Sequence, residues 1–181
     1  MIIDDERRML QESAQRYLQR TYAFEARMAA LAEPAGFAPQ RWAEFADMGW
    51  LGVGMPEALG GYGDALDQLV LAEALGAALV AEPWLANAAL CAPLLAAAGN
   101  AAQQAMAAEV VAGRTRLALA AWEVQGRYDA FDVRTRAQRT ATGWRLDGAK
   151  TLVLGSGVAD TLLALARTAG EPRDTDGLSL F

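Results

Sequence analysis

Few residues in this chain could carry out acid, base or nucleophilic chemistry. In 181 residues there is no histidine, and there is one cysteine, Cys91, and one lysine, Lys150. Without histidine, neither a Ser-His-Asp or Cys-His nucleophile system nor a histidine-bearing zinc site can form. Acid–base chemistry would therefore fall to a carboxylate, a tyrosine or Lys150. Cys91 lies in the apolar run ANAALCAPLLAAAG, which favours a buried small side chain over a reactive thiol.

Aromatic and charged residues concentrate between positions 122 and 144. The aromatic members could form the floor of a site for a planar ligand, because flat rings pack well on flat rings; they are Trp122, Tyr128, Phe131 and Trp144. The charged members are Glu123, Arg127, Asp129 and Asp132. Core packing of the rings and a solvated, salt-bridged loop are the ordinary alternatives. The residues alone leave these interpretations open.

Composition excludes several classes of function. The formal charge is −6 and the pI about 4.7, which argues against a surface that binds nucleic-acid phosphates. The start, MIIDDERRML, lacks the order of a signal peptide, and the apolar run from Trp84 to Ala98 falls short of the roughly 20 residues of a membrane span. Gly155-Ser156-Gly157 begins like the nucleotide-binding fingerprint G-x-G-x-x-G, but Asp160 occupies the position of the third glycine, which argues against such a site. These features predict a cytoplasmic protein that binds neither nucleic acid nor membrane.

Helical periodicity dominates the first 115 residues. Apolar residues recur at steps of three and four, and capping residues precede several runs. The pattern predicts about five helices: Asp4 to about Leu31, Pro39 to Gly49, a third capped by Asp64, Trp84 to Ala98, and a fifth capped by Asn100 with Gln103 at the capping-box position. The glycine-rich segment around Met55-Pro56-Glu57 is interpreted as turns and tight helix packing. An all-α bundle follows from this pattern.

After Gly113 the period changes to two, which is typical of strands. Residues 132–139 alternate polar and apolar, and GWRLDGAKTLVLG predicts two strands joined at Asp147-Gly148. Further strands are predicted near residue 120, at 160–167 and at 178–181. Strands that follow helices without alternation predict an α+β chain.

The order of these segments resembles the acyl-CoA dehydrogenases. FADMGWLGVGMPEALGGYG is similar to that family's M-G-W-L-G…P-E-x-x-G-G-x-G loop, and LAEALGAALVAEPWLANAALCAPLLAAAG to the helices after it. The segments from LALAAWEVQGRYD to DGLSLF resemble the first strands of the family's middle domain. The resemblance implies a helical domain over 1–116, then an incomplete, antiparallel, β-barrel-like middle domain over 117–181. The family's C-terminal helical domain is expected to be absent from this chain.

The resemblance also implies a chemistry. Members of this family use FAD to dehydrogenate the α,β-bond of an acyl-CoA thioester, and they usually pass electrons to an electron-transfer flavoprotein. The family's T-E-P-x-x-G-S-D segment matches residues 122–129, and its W-I-T strand matches Leu152-Val153-Leu154. By that match, the cofactor-binding residues are Trp122, Glu123, Tyr128, Leu152 and Leu154, and Tyr128 is also a substrate-binding residue.

Departures from the family pattern leave two functions open. Trp122 replaces a flavin-bonding threonine, Leu152 the tryptophan beside the flavin ring, and Leu154 a threonine whose hydroxyl holds the flavin edge. Each lost hydrogen bond would cost on the order of 0.5–1.5 kcal/mol, which weakens FAD binding. No catalytic residue is assigned, since the family's base lies in the C-terminal domain and neither Glu123 nor Asp129 is expected to replace it. The chain is thus expected to be inactive alone, as a truncated or partial subunit.

The alternative is a non-catalytic, flavin-free partner subunit or interaction module of the same fold. The R-Y-D and K-T-L-V-L variants are similar to the small-subunit branch of pimeloyl-CoA dehydrogenase, whose members pair with a second dehydrogenase subunit. A helical scaffold unrelated to flavin is a third hypothesis.

Overall fold

The computed structural model describes residues 4–127 and 129–181. The chain divides into two compact units, one ending at Arg116 and the other covering Leu117–Phe181. The helical unit contains α1 (Asp5–Thr21), α2 (Phe24–Ala32), α3 (Pro39–Asp47), α4 (Ala65–Ala77), α5 (Ala92–Ala98) and α6 (Ala101–Val111). A 3-10 turn, Glu57–Leu59, precedes α4, and a π-helical segment, Leu85–Cys91, leads directly into α5. The predicted all-α region is confirmed.

Three of these helices start where the sequence predicts, one with a proline as its first residue and two with a side-chain cap. Pro39 opens α3, and Asp64 accepts hydrogen bonds from the N–H groups of Leu66 and Asp67 at the start of α4. Asn100 and Gln103 form the predicted reciprocal capping box at α6. Each cap satisfies N–H groups that have no partner within the helix.

The prediction of one long helix up to Leu31 is wrong, because a break in the helix separates α1, which ends at Thr21, from α2, which begins at Phe24. Tyr22 is buried at that break, where its hydroxyl accepts a hydrogen bond from Ala81 N–H and donates one to Glu82. These tertiary contacts outweigh local helix propensity. Phe24 and Met28, predicted on the buried stripe, are 72% and 47% exposed as a result.

A change of helix type marks the predicted helix from Trp84 to Ala98. The first part is π-helical, and the Ala92 N–H bonds to the carbonyl of Asn87, five residues earlier. Pro93 follows immediately and has no N–H to donate. A wider helical turn before a proline avoids its clash with the carbonyl four residues back.

The core of the helical unit is aromatic. Trp50 packs against Phe45 and Tyr17 with ring centroids 4.9 and 5.3 Å apart, and its carbonyl accepts a hydrogen bond from Trp84 Nε1 at 2.8 Å. Gly61 lies so close to this core that a Cβ there would stand 2.2 Å from the Met55 carbonyl oxygen. At Gly61 loop backbone therefore packs on loop backbone, whereas the sequence was interpreted as turns and tight helix packing.

The β unit contains β1 (Leu117–Ala120), β2 (Arg136–Thr140), β3 (Gly143–Asp147), β4 (Thr161–Arg167) and β5 (Leu178–Leu180). β4 pairs in parallel with β1, antiparallel with β5, and in parallel with β2 through Arg136 and Arg167. β2 and β3 form an antiparallel hairpin. The α+β class is confirmed, but the described strands form an open, mixed sheet rather than an antiparallel, barrel-like one. Because β1 and β4 run in the same direction, the chain between them is a crossover.

The predicted hairpin at Asp147-Gly148 is wrong. β2 and β3 pair from Arg136 opposite Asp147 to Thr140 opposite Gly143, which puts the turn at positions 141 and 142. Gly148 instead approaches Thr135, whose Oγ1 would lie 2.4 Å from an added Cβ. Residues 149–155 form no strand, because their positions are set by the contacts of Lys150 and Thr151 described below. In the described part of the chain, no helix is long and apolar enough to cross a membrane.

Candidate functional site

Two segments that carry predicted site residues lie side by side within the β unit. Thr151 donates its N–H to the carbonyl of Trp122 at 2.8 Å, and Lys150 donates from Nζ to the carbonyl of Ala121 at 3.2 Å. We call residues 121–127 and 150–155 the paired segments. Neither is a regular strand, so side-chain contacts add to this main-chain bond in holding them together.

Glu123 is the centre of those contacts. Its side chain is 6% exposed and accepts four hydrogen bonds: from Lys150 Nζ (2.7 Å), Gln125 Nε2 (2.8 Å), Arg134 N–H (2.9 Å) and Thr135 N–H (3.0 Å). Burial raises the pKa of this carboxyl. The hydrogen bonds, led by that from Lys150, lower the pKa by more than burial raises it, and the result is a pKa of about 2. An ionised carboxylate with both oxygens occupied is a poor proton acceptor near neutral pH.

The side chains beside this anchor are apolar and exposed. Trp122 is 37% exposed, Leu154 55% and Leu152 77%. Leu152 also has φ of +50°, a left-handed conformation that costs a leucine on the order of 1–2 kcal/mol. The contacts of Lys150 with Ala121 and Glu123, and of Thr151 with Trp122, hold this strained backbone in place. Strain of this kind concentrates at ligand sites.

The other predicted charged residues stabilise a loop. Asp129 accepts the N–H of Phe131 at 2.9 Å, and Asp132, which is 4% exposed, accepts from Arg173 Nε at 3.1 Å. Arg173 Nε also lies 3.9 Å from Asp129. Both carboxylates therefore serve the loop structure. Tyr128, predicted to contact cofactor and substrate, lies outside the described residues.

Three of the four aromatic residues proposed as a ligand floor are described, and they occupy different places. Trp122 lies on the paired segments, whereas Trp144, on β3, contacts Phe181 with ring centroids 5.2 Å apart. Phe131 is 46% exposed in the loop before β2. Of these three, Trp122 alone is paired with the segment of Leu152 and Leu154, through the hydrogen bond from the Thr151 N–H. The described residues contain no group of acidic or cysteine side chains that could hold a metal ion.

Comparison with known proteins decides the family. The sequence model for the acyl-CoA dehydrogenase N-terminal domain matches residues 4–114. The chain belongs to the acyl-CoA dehydrogenase family.

Curated relatives agree with this assignment. The acyl-CoA dehydrogenase FadE27 of Mycobacterium tuberculosis is 35% identical over 134 residues, which are 73% of this chain and 35% of that protein. Benzylmalonyl-CoA dehydrogenase of Aromatoleum aromaticum is 28% identical over 177 residues, or 96% of this chain and 46% of that protein. The chain therefore spans less than half the length of these acyl-CoA dehydrogenases.

Solved structures of the family share the fold across both units. A variant of the Tcur3481-Tcur3483 steroid acyl-CoA dehydrogenase is 30% identical with a TM-score of 0.84, and the match covers 98% of this chain and 47% of that one. The ChsE4-ChsE5 complex of Mycobacterium tuberculosis gives 27% identity and the same TM-score, with coverage of 99% and 47%. The FAD complex of PigA, at 21% identity and a TM-score of 0.85, shows the fold alone.

The residues on the paired segments fit one edge of a flat, mostly apolar group such as the FAD ring. Exposed side chains of Trp122, Leu152 and Leu154 offer an apolar surface, and the strained Leu152 backbone is held rigidly beside them. Neither Trp122 nor Leu154 carries a hydroxyl. These residues can therefore offer FAD an apolar wall and main-chain groups there.

Sequence reasoning missed the roles of Lys150 and Arg167. The sequence predicts Lys150 only as a possible acid or base, although a sole lysine inside an apolar run indicates a buried ion pair, which it forms with Glu123. Arg167 ends an apolar strand and is 1% exposed. A charged residue is almost never fully buried unless it is paired. A prediction that the last residue of β4 is buried would therefore have marked Arg167 as a residue with specific partners.

Proposed function

We propose that this chain supplies the helical domain and part of the β-domain of an FAD-dependent dehydrogenase that oxidises the α,β-bond of an acyl-CoA thioester. The observation that carries the proposal is the side-by-side arrangement of residues 121–127 and 150–155, the two segments at which the family contacts flavin, in a chain of that family. The sequence resemblance to the family supplies the reaction and an electron-transfer flavoprotein as the electron acceptor.

In the proposed function, the residues of this chain bind FAD and orient its ring. Bound FAD supplies the hydride acceptor. Trp122, Leu152 and Leu154 form an apolar wall that excludes water on one side of the ring. The Glu123–Lys150 ion pair holds both halves of this wall in register. Neither Glu123, with its pKa near 2, nor Asp129, held by Phe131 and Arg173, is assigned as the base that removes the α-proton. We therefore expect no turnover from these 181 residues alone.

A flavin-free partner subunit is the second candidate. It is favoured by Leu152 and Leu154, which provide neither an aromatic ring nor a hydroxyl at the two family positions. Two similar structures, the Tcur3481-Tcur3483 enzyme and the ChsE4-ChsE5 complex, carry two protein names each. In this case the chain would pair with a second dehydrogenase subunit that holds the cofactor.

Titration of the purified chain with FAD, followed by flavin fluorescence and visible absorption, separates the two candidates. We expect saturable binding by the wild type. The double variant Leu152→Trp, Leu154→Thr restores a stacking ring and a hydroxyl, and should bind FAD about tenfold more tightly, which corresponds to about 1.4 kcal/mol.

The matched control is Leu69→Thr, which changes an exposed leucine on α4 in the helical unit and should leave FAD affinity unchanged. If both the wild type and the double variant are folded by circular dichroism and bind no FAD, the flavin-free candidate stands. Dehydrogenation of any acyl-CoA by the isolated chain would contradict the expectation of inactivity.

A further inference from the structure

We propose that Arg167 is a positioning residue, which holds the loop at 129–133 in the conformation that FAD binding on the paired segments requires. This inference rests on the proposed function. The loop follows the first paired segment directly and leads into β2. Arg167 ends β4 and contacts the loop from the other side.

The guanidinium of Arg167 is buried, and its four observed hydrogen bonds are all donated to main-chain carbonyls. Nε donates to Val133 O at 3.1 Å, and Nη2 donates to Phe131 O at 2.9 Å. Nη2 also donates to Asp174 O at 3.1 Å, and Nη1 donates to Asp176 O at 2.9 Å. The side chain is 1% exposed. One cation thus joins the 129–133 loop to a second loop at 171–177.

A second arginine links the same two loops. The N–H of Arg173 donates to the Phe131 carbonyl at 3.2 Å, and its Nε donates to Asp132 at 3.1 Å. Arg173 is 69% exposed, so its ion pair contributes less than the buried bonds of Arg167. The contribution of Arg167 to loop order is therefore the larger one.

The loop at 129–133 is connected to the proposed cofactor wall by specific contacts. Gln125 Nε2 bridges the Asp132 carbonyl, at 3.1 Å, and the Glu123 carboxylate, at 2.8 Å. The Glu123 carboxylate then accepts from Lys150, next to Thr151 and Leu152. Loosening of the loop therefore releases Gln125 first and weakens the anchor that positions Leu152.

Lysine cannot replace Arg167 at this position. A guanidinium offers five N–H donors in a planar fork, whereas an ammonium is a point charge with three donors on a flexible stem. The four carbonyls lie around the fork, and a lysine would leave some of them buried without a donor, which costs free energy. The conservative substitution is consequently a sensitive test of geometry at constant charge.

The test compares the wild-type chain with Arg167→Lys by FAD titration and by amide hydrogen exchange. We expect FAD affinity to fall about tenfold or more, which corresponds to about 1.4 kcal/mol of ordering free energy. Exchange should accelerate at amides hydrogen-bonded within the two loops, including those of Asp129, Val133 and Asp174. The amides of β1 and of the helical unit should keep their protection.

Two further variants keep the test decisive if Arg167→Lys folds poorly. Arg173→Gln removes the exposed link between the same loops and should produce a smaller change in the same direction. Arg167→Ala should regain FAD affinity when methylguanidinium is added, and methylammonium at equal concentration should restore nothing. Arg145→Lys is the matched control, because Arg145 is exposed on β3 and its side chain hydrogen-bonds to the Gln138 side chain, away from both loops.

The outcomes separate this inference from the proposed function. If the wild type binds no FAD, the proposed function fails and the positioning role fails with it. If the wild type binds FAD and Arg167→Lys binds equally well, only the positioning role is overturned. Faster exchange spread evenly over β1 as well as the loops would also overturn it, because it would show a general loss of stability.

Discussion

The helical and β units are stabilised by different kinds of interior. The helical unit buries large aromatic and aliphatic side chains, among them Phe45, Trp50 and Trp84. The apolar residues buried in the β unit are smaller, mostly alanine, valine and leucine. Among the described residues, the β unit also buries three charged side chains, Glu123, Asp132 and Arg167, whereas the helical unit buries one, Glu82.

This contrast predicts different sensitivities. Apolar packing is insensitive to pH and its loss scales with the volume removed. A buried charge stabilises only while its partners remain, and an unpaired one is costly. Conditions and substitutions that change charge should therefore affect the β unit first.

Removal of Glu123 should have the largest effect. Glu123→Ala leaves the Lys150 ammonium buried without its carboxylate, and we expect a loss of about 3–5 kcal/mol in the unfolding free energy. Urea denaturation with hydrogen exchange at β-unit and helical-unit amides would measure and locate it. The double variant Glu123→Leu, Lys150→Met removes both charges and should lose less than Glu123→Ala. Equal losses in the two variants would contradict an ion-pair origin.

Acid should destabilise the β unit more than the helical unit, because Glu123 is buried, whereas Asp64 and Glu109, helical-unit carboxyls whose pKa is also lowered, are exposed. The folded-state pKa of Glu123, about 2, lies below its ordinary value of 4.5, so the ionised form stabilises the fold above pH 4.5. That contribution, about 3 kcal/mol, is lost as pH falls from about 4.5 to 2. Denaturation at a series of pH values should show the decline in wild type and a flatter profile in Glu123→Gln. A parallel decline in both proteins would assign the acid sensitivity to other groups.

A cap at the start of α6 should matter moderately, and only to the helical unit. Asn100→Ala removes the side chain that accepts the Gln103 N–H, at a cost of about 1 kcal/mol. Asn100→Ser retains an accepting oxygen and is the control, with most of the stability expected to remain. Thermal unfolding followed by circular dichroism at 222 nm would detect the difference. An effect of Asn100→Ala on FAD titration of the β unit would weaken the contrast between the units.

The smallest effect is a gain in stability. Leu152→Gly relieves the left-handed backbone, and the relief, partly offset by the greater freedom of glycine in the unfolded chain, should stabilise the protein by about 0.5 kcal/mol. FAD affinity should fall at the same time because apolar surface is lost. Leu154→Gly, without left-handed backbone to relieve, should lower both. A loss of stability in Leu152→Gly would show that its conformation carries no strain.

The helical unit could be predicted well because its signals are local. Asp64 and Asn100 mark helix starts through contacts made within three residues. The break at Tyr22 could not be predicted, since it depends on Ala81 and Glu82, far along the chain. Periodicity alone describes a helix that the tertiary contacts of one hydroxyl interrupt.

The β unit was harder to predict because its order depends on distant pairs. The Asp147-Gly148 signal is a common hairpin turn, but Gly148 is used for close approach to Thr135. The strand predicted through Leu152 is replaced by a loop that Lys150 ties to Glu123. The cofactor site at residues 122–129 and 152–154 was predicted from the resemblance to the family, and it stays a prediction. The main-chain carbonyls that accept hydrogen bonds from Arg167 could not be predicted, because they leave no local signal in the sequence.

The parallel pairing of β1 with β4 has a consequence for synthesis of the chain. Every residue up to Arg116 is made before β1, whereas β1 must wait for its partner strand from Thr161 onward. At about 5–20 residues per second, that wait lasts several seconds. During it, the main-chain groups of Leu117–Ala120 have no strand beside them, and the helical unit can already be folded. We therefore expect nascent chains stalled before Thr161 to be the form most prone to associate through an unpaired strand.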